Sequence, residues 1–507
     1  MSGTLPRLPG LLATFVVAGL CLGTLLPLLG QASGGGGVAG ADWAALRFTL
    51  LQAALSAGLS VGLAIPVARA LARRSFAGRG ALVTLLGAPF LLPVIVAVLG
   101  LLALFGRQGL FNDMLAGVGL RRLSVYGLQG VVLAHVFLNL PLATRLLLQG
   151  WQDIPAERFR LAATLNAPVG PLLEWPMLRS VVPGAMAAIF GLCLTSFSVA
   201  LILGGGPAAT TLELAIYQAI RFEADFRGAA QLALLQFALC GVSAALALRW
   251  TAGPVLGAGL GRPVERWDAE GIGARLLDVA WIASAALFLI LPLSLVILRG
   301  LRGLDDLPTE VWGGLGRSVL VALGATATSL LLGLSLALRG GAVARSVGAL
   351  PLAASPLVIG TGLLLILRPL VPLDGAALPV AAAVDGIAAL PFALQVLTGP
   401  LAEVEARHGR LASALGLTGW LRLRIVVLPL LRPALGFAAG LAAALSAGNL
   451  GVIALFANEG EATLPLLMAR LMGAYRMEAA AGVGLLILAL ALLLFWLFDR
   501  AGRHAAA

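Results

Sequence analysis

The chain has 507 residues, 60% hydrophobic and 11% charged, with 34 Lys+Arg against 23 Asp+Glu and a formal net charge of +11. A soluble globular chain carries about 25% charged residues, and a soluble core could not bury this much apolar surface, so the bilayer must act as solvent. The positive balance does not point to nucleic acid, because the arginines punctuate apolar runs instead of clustering on one polar face. No lysine occurs, so every basic residue is Arg. Cys21, Cys193 and Cys240 sit in apolar runs without pairing or ligand spacing and read as buried small hydrophobes. The three histidines do not cluster, and no metal site is expected.

A membrane helix needs about 20 mostly apolar residues. Twelve such runs are predicted, near 10–30, 47–68, 81–105, 127–148, 181–203, 229–248, 276–298, 318–338, 347–367, 377–398, 434–456 and 479–498. The first follows Arg7 and is followed by small residues, as in a signal peptide, but its length favours an uncleaved anchor. With the N-terminus inside, most of the 34 arginines fall on the cytoplasmic side, among them Arg69, Arg73, Arg74, Arg79, Arg249, Arg262, Arg266 and Arg275. The pair Arg121–Arg122 falls on the other side. The positive-inside rule therefore places both termini in the cytoplasm.

Internal repetition is visible at offsets that drift with loop length. Arg47 and Arg69 match Arg317 and Arg339; Leu140-Pro141 matches Leu390-Pro391; RLAATLN matches RLASALG; TTLEL at Thr211 matches ATLPL at Thr463. The expected fold class is an all-α polytopic membrane protein of about twelve transmembrane helices, arranged as two parallel six-helix repeats. The expected division is an N-terminal transmembrane helix and loop at 1–46 and a first transmembrane domain at 47–250. An inter-half loop with the seventh helix follows at 251–316, then a second domain at 317–499, with the Gly-rich, charged stretch 250–275 as the joint.

Two charged loops interrupt the apolar pattern at equivalent places, Glu157 to Pro183 and Glu403 to Pro433. In the second, good helix formers run from Glu403 to Leu415, with Leu411 and Leu415 on one face. Gly416 is a left-handed stop, Thr418 can cap a new helix near Trp420, and Pro429 and Pro433 disfavour helix before the next span. The expected form is a short helix, a sharp turn and a returning helix across the cytoplasmic surface. In the first loop Asp153 can cap, Pro155 suits the first turn, and Leu161, Ala162, Ala163 and Leu165 give a small apolar face. Asn166, which tolerates the left-handed region, replaces the glycine, and Pro168 reinforces the stop. Such loops can rest in lipid headgroups, but their duplication favours docking loops for another protein.

A phosphate-binding P-loop needs a lysine after its glycines, and this chain has none. The glycine runs at 34–37 and 204–206 are read as extramembrane hinges or helix stops. If ATP supplies the energy, another subunit must hydrolyse it.

The two loops resemble the EAA loops of type I permease subunits in bacterial ATP-binding-cassette importers. The second matches through Leu411-Ala412-Ser413-Ala414-Leu415-Gly416 and Leu428-Pro429; the first carries Asn for Gly at 166 and is about three residues shorter before Trp175-Pro176. A narrower likeness covers 191–240, with HVFLNLP at 135–141, EWPMLR at 174–179 and GVIALFANE at 451–459. There the chain is similar to fused, two-half permeases of thiamine and thiamine-diphosphate importers, with ferric-iron permeases as close relatives. The resemblance implies two copies of an ATPase subunit docked below and a periplasmic solute-binding protein above. ATP and magnesium would reside on the ATPase, and this chain would carry no catalytic residue and no cofactor of its own.

Polar residues inside membrane spans are costly and mark pathways. His135 and Asp385 occupy equivalent places, Asn139 lies one turn beyond His135, and Thr195, Ser196, Ser198, Ser446 and Asn449 can line a cavity between halves. For a solute with a fixed positive charge, Asp385 would be the counter-charge and His135 an acceptor. The plainer alternative is that these groups brace helices or bond backbone near Pro141 and Pro391. A twelve-span ion-coupled transporter also has parallel halves, but RALARRSFAGRG lacks the acid usual after its second span. A membrane enzyme would need an intramembrane acid–base cluster, which the spans do not show.

Overall fold

In the computed structural model the described residues are 8–33, 40–87, 92–204, 206, 209–250, 266, 271–372 and 375–504. The glycine run 34–37, Gly205, Arg7, Arg262 and most of the joint 250–275 lie outside them. Among the described residues there are helices and no strands, and eleven helices are long and apolar enough to cross a membrane. A twelfth crossing is a pair of helices bent by 85°.

In chain order the crossings are α1 (Leu8–Ala32), α2 (Asp42–Arg73), α3 (Val94–Gly117), α4 (Leu128–Gln152), α5 (Gly170–Leu194) and α6 (Phe226–Ala247). They continue as α7 (Ile272–Gly303), α8 (Glu310–Arg339), the bent pair α9 (Gly341–Ala353 and Pro356–Leu367), α10 (Ala377–Ala414), α11 (Gly419–Phe456) and α12 (Met477–Arg503). The bend in α9 follows from Ser355 standing before Pro356. That position is extended (ψ 152°), and the Ser355 side chain accepts from the Val358 N–H at 3.3 Å. In the first half the short helix Arg79–Leu85 precedes α3, which starts after an extended Pro93, so the run expected at 81–105 is also two pieces.

Helices α5 and α11 begin earlier than their apolar runs at 181–203 and 434–456, reaching back into the charged loops. Each passes through a π-helical turn, Gly170–Glu174 at the start of α5 and Leu423–Val427 after the first turn of α11, ending two residues before Pro176 and Pro429. The wider turn lets the chain pass a residue without an N–H and stay helical. Pro429 and Pro433 accordingly lie inside a helix, against the expectation that they would disfavour helix before the span, and Pro183 likewise lies inside one.

Within each half α2 packs on α4 and α5, and α8 packs on α10 and α11. The first helix of each half crosses over. Helix α1 lies against α8 and α9, while α7 lies against α2, α3 and α12. Charge fixes the second crossing: Arg73 of α2 donates to Asp278 of α7 at 2.8 and 2.5 Å, and Arg74 donates at 2.6 Å. Shape fixes its other end, where Gly303 of α7 and Gly482 of α12 meet so closely that a Cβ on either would enter the other helix's backbone. The first crossing has a lighter tie, from Arg339 of α8 to the Thr14 hydroxyl of α1.

The Asp278 side chain is 3% exposed and that of Arg73 is 6%, so breaking this pair strands a buried charge. Asp278→Leu should cost about 3–5 kcal/mol, read as a lowered thermal midpoint of the detergent-solubilised chain. Asp499→Leu, which removes the partner of the exposed Arg503, should cost about 1 kcal/mol or less.

Candidate functional site

The two charged loops end up at the same end of the bundle, because six crossings lie between them. In the first, the short helix Ala156–Thr164 stands apart from α4. In the second, the equivalent residues are the last turns of α10, which runs unbroken to Ala414. The separate short helix expected at 403–415 is therefore an extension of the span. The reason is local: Pro155 blocks helix at Ile154, whereas the matching residues Glu403, Val404 and Glu405 are all compatible with helix. Neither expected cap forms a side-chain bond. Pro155 occupies the N-cap position in place of Asp153, and Thr418 takes the N-cap backbone geometry without a side-chain hydrogen bond.

Both helices stop on a left-handed residue, Asn166 at φ 48° and Gly416 at φ 70°. Their surfaces match position by position. Ala162 and Ala412 face inward, while Leu161, Ala163, Leu165 and Asn166, and likewise Leu411, Leu415 and Gly416, are exposed. Four exposed leucines, each 59–67% accessible, form two apolar faces unusual for a protein surface in water.

The loops are anchored differently. Glu174, at the start of α5, is gripped by Arg69 of α2 at 2.9 Å and by Arg266 of the joint at 3.0 Å. It also accepts from the Trp151 indole of α4 at 3.1 Å. The Arg266 guanidinium lies 4.7 Å over the Phe159 ring, so the joint between halves touches the first loop's helix directly. In the second loop Val427 stands where Glu174 does, and the anchor is instead the pair of Arg422 and Glu405 within the loop itself.

Deeper in the bundle, α5 breaks at Thr195–Ser196 and resumes as Phe197–Leu203, and α11 breaks over Gly448–Leu450. Carbonyls freed inside a bilayer need donors from the protein. Gln52 of α2 donates to the Cys193 carbonyl at 3.0 Å, and Gln236 of α6 donates to the Leu194 carbonyl at 2.8 Å. In α11 the Asn449 side chain accepts from the Gly451 N–H at 3.2 Å. After each break a short helix is set by the same device, a hydroxyl from the facing span accepting its first N–H. Thr49 does so for Leu212 at 2.9 Å and Ser318 for Leu464 at 2.8 Å.

The breaks open on a cavity of about 280 Å³ between the two halves. His135, Asn139, Thr195, Ser196 and Ser198 reach it from the first half, and Asn449 and Phe392 from the second. His135 is held on both ring nitrogens, by Ser56 at 3.2 Å and Ser196 at 2.7 Å. Asn139 donates to the His135 carbonyl at 2.9 Å, a local bond beside Pro141. Asp385 and Ser446 line a separate space of about 10 Å³ shared with Asn449. The Asp385 carboxylate accepts from Asn449 at 2.6 Å and from Ser446 at 2.9 Å, so its immediate partner is Asn449.

The acid that does line the cavity is Glu213, 2% exposed, in the first turn of the helix Leu212–Arg221. Sequence reasoning missed it because the helix is ten residues long and was not counted as a span; an acid between Leu212 and Leu214 was the available signal. A wider recess of about 930 Å³ lies at the bundle end opposite the loops, with Arg107, Arg221, Arg470 and Tyr475 among its walls.

Since Asp385 acts on the cavity through Asn449, Asp385→Asn should leave solute uptake nearly intact, because an amide can still accept from Asn449. Asp385→Leu should depress both uptake and thermal stability, by about 1–3 kcal/mol for the stranded amide. Uptake into proteoliposomes, paired with thermal unfolding, checks both.

No family model matches the chain. Among curated proteins it is 39% identical to the thiamine transport system permease protein of Salmonella typhimurium, covering 98% of this chain and 97% of that one. It is equally 39% identical to the Escherichia coli protein of the same name, covering 97% and 96%. With the Haemophilus influenzae protein of that name the identity is 32%, covering 87% and 85%. Likeness at this level over both halves, with the twelve crossings and paired loops, places the chain in the family of fused ABC importer permeases typified by the thiamine transport system permease proteins.

Proposed function

We propose that the chain imports thiamine or its phosphates across the bacterial inner membrane, as the permease of an ATP-driven, binding-protein-dependent transporter. Its full-length likeness to permeases named for thiamine transport carries the choice of solute. The duplicated exposed leucine faces at one end support the choice of motor. Two ATPase subunits dock there, one per loop, and hold the ATP and magnesium. The loop end is cytoplasmic, with both termini on that side, and the 930 Å³ recess faces a periplasmic binding protein. Closure of the ATPase pair biases inward-open and outward-open states through the loops.

The chain's own residues have separable tasks in this cycle. Leu161, Leu165, Leu411 and Leu415 bind the motor, while Ala162 and Ala412 seat each helix against the bundle. The Glu174 cluster carries force from the first loop into α2, α4 and the joint. In the second half α10 is one continuous helix from Asp385 to Leu411, so motion at the loop reaches the cavity wall directly.

The test is reconstitution with the ATPase and binding protein. Thiamine uptake that requires all three components supports the reading, and uptake by the chain alone down a proton gradient overturns it. Leu411→Glu should prevent ATPase copurification. Gly416→Pro should uncouple ATP hydrolysis from uptake, because proline cannot adopt φ 70°. Asn166→Gly should change uptake little, since glycine tolerates φ 48° at least as well. Equal, severe loss in these last two variants would contradict the ranking.

A further inference from the structure

The cavity between the halves is lined by one carboxylate, Glu213, which has hydrogen-bond partners but no cationic one among the described residues. Oε1 of Glu213 makes no hydrogen bond, and neither does Oε1 of Gln236, which lies beside it. Ser355, Gln236 and the Phe197 backbone hydrogen-bond the carboxyl. Among the described residues no basic side chain forms an ion pair with it; Arg73, Arg266 and Arg422 are engaged with Asp278, Glu174 and Glu405 instead. An ionised carboxylate buried without an opposite charge is expensive even when hydrogen-bonded, and a cation arriving in the cavity would relieve that cost.

The surroundings narrow the ligand. The cavity walls include the aromatic rings of Phe197 and Phe392 and several leucines, with His135, Asn139, Thr195, Ser196, Ser198 and Asn449 as neutral polar groups beside Glu213. Aromatic faces and one carboxylate suit a small organic cation, through charge pairing and cation–π contact. An anion would meet the carboxylate and gain no arginine. The site is also one-sided, because the residue matching Glu213 in the second half is Pro465. A bound cation would therefore be oriented with its charge toward the first half. Access lies along the same short helix: Tyr217, one turn from Glu213, lines the wide recess and meets Phe197 of the cavity edge to face at 5.2 Å.

We propose that Glu213 is the counter-charge of a transit site for a small aromatic organic cation in the inter-half cavity, and that the Phe197–Tyr217 contact stands between this site and the wide recess. The assignment rests on the thiamine reading above, because thiamine carries a fixed positive charge on its thiazolium. The competing role for Glu213 is structural, an acid favouring the N-terminus of its helix.

The experiment compares uptake of thiamine with uptake of an analogue whose thiazolium is replaced by an uncharged thiophene. It uses proteoliposomes containing the chain, its ATPase and its binding protein. The wild type should prefer the cation. Glu213→Gln should reduce that preference roughly tenfold or more, as expected for loss of a buried charge partner, while Glu213→Asp should retain most of it. A ratio, unlike a rate, is unaffected by the amount of folded protein, so a structural role would leave it unchanged. An unchanged ratio in Glu213→Gln, with thiamine still imported, overturns the counter-charge and leaves the thiamine reading standing. Import of neither compound by the wild type overturns the thiamine reading and this proposal with it.

Discussion

The carbonyls of Cys193 and Leu194, set free where α5 breaks inside the bilayer, are answered by the side-chain amides of Gln52 and Gln236. Without those donors the break could not exist at that depth, because nothing in hydrocarbon replaces a lost backbone bond. The break in turn exposes Ser196 to His135, opens the inter-half cavity and turns the chain toward the helix that carries Glu213. The second half reaches the same geometry with other residues, Asn449 spanning the break and Asp385 holding Asn449. Two buried amides in one half and one acid–amide pair in the other thus support the cavity.

The halves are not simply juxtaposed. Each lends its first helix to the other, and the charge cluster of Arg73, Arg74 and Asp278 fastens one exchange where the Thr14–Arg339 bond fastens the other. Burying three charged groups is weak evidence for stability as such, but their geometry specifies where α7 sits against α2. The close meeting of Gly303 and Gly482 then sets its second contact.

The two loops present the same exposed pattern on different mounts. The first is a free-standing helix clamped through Glu174 to α2, α4 and the joint. The second is the end of a single long helix whose other face reaches Asp385. An external motor acting equally on both would therefore deliver force by two routes, one through a buried charge cluster and one along a continuous rod. Both routes arrive at the cavity walls, His135 on α4 and Asn449 behind Asp385.

Much of this organisation is legible in the residues themselves. Apolar runs of membrane length, the offsets between repeats and the left-handed stops at Asn166 and Gly416 are all local, and local constraints leave a periodic or compositional trace. The same locality explains the misreadings: the π-helical turns that carry α5 and α11 past their prolines leave no such trace, and the repeat hid that Pro155, which detaches the first loop's helix, has no counterpart in the second. Asp385 stood out in the sequence because an acid in a span is rare; packing places it behind Asn449 and puts Glu213, from a helix too short to register, on the wall of the larger cavity. The sequence by itself determined the membrane class, the duplication and the paired faces at one end. Only the tertiary structure decided which helix crosses to which half, where the spans break and which carboxylate lines the inter-half cavity, because those depend on contacts between residues tens to hundreds of positions apart.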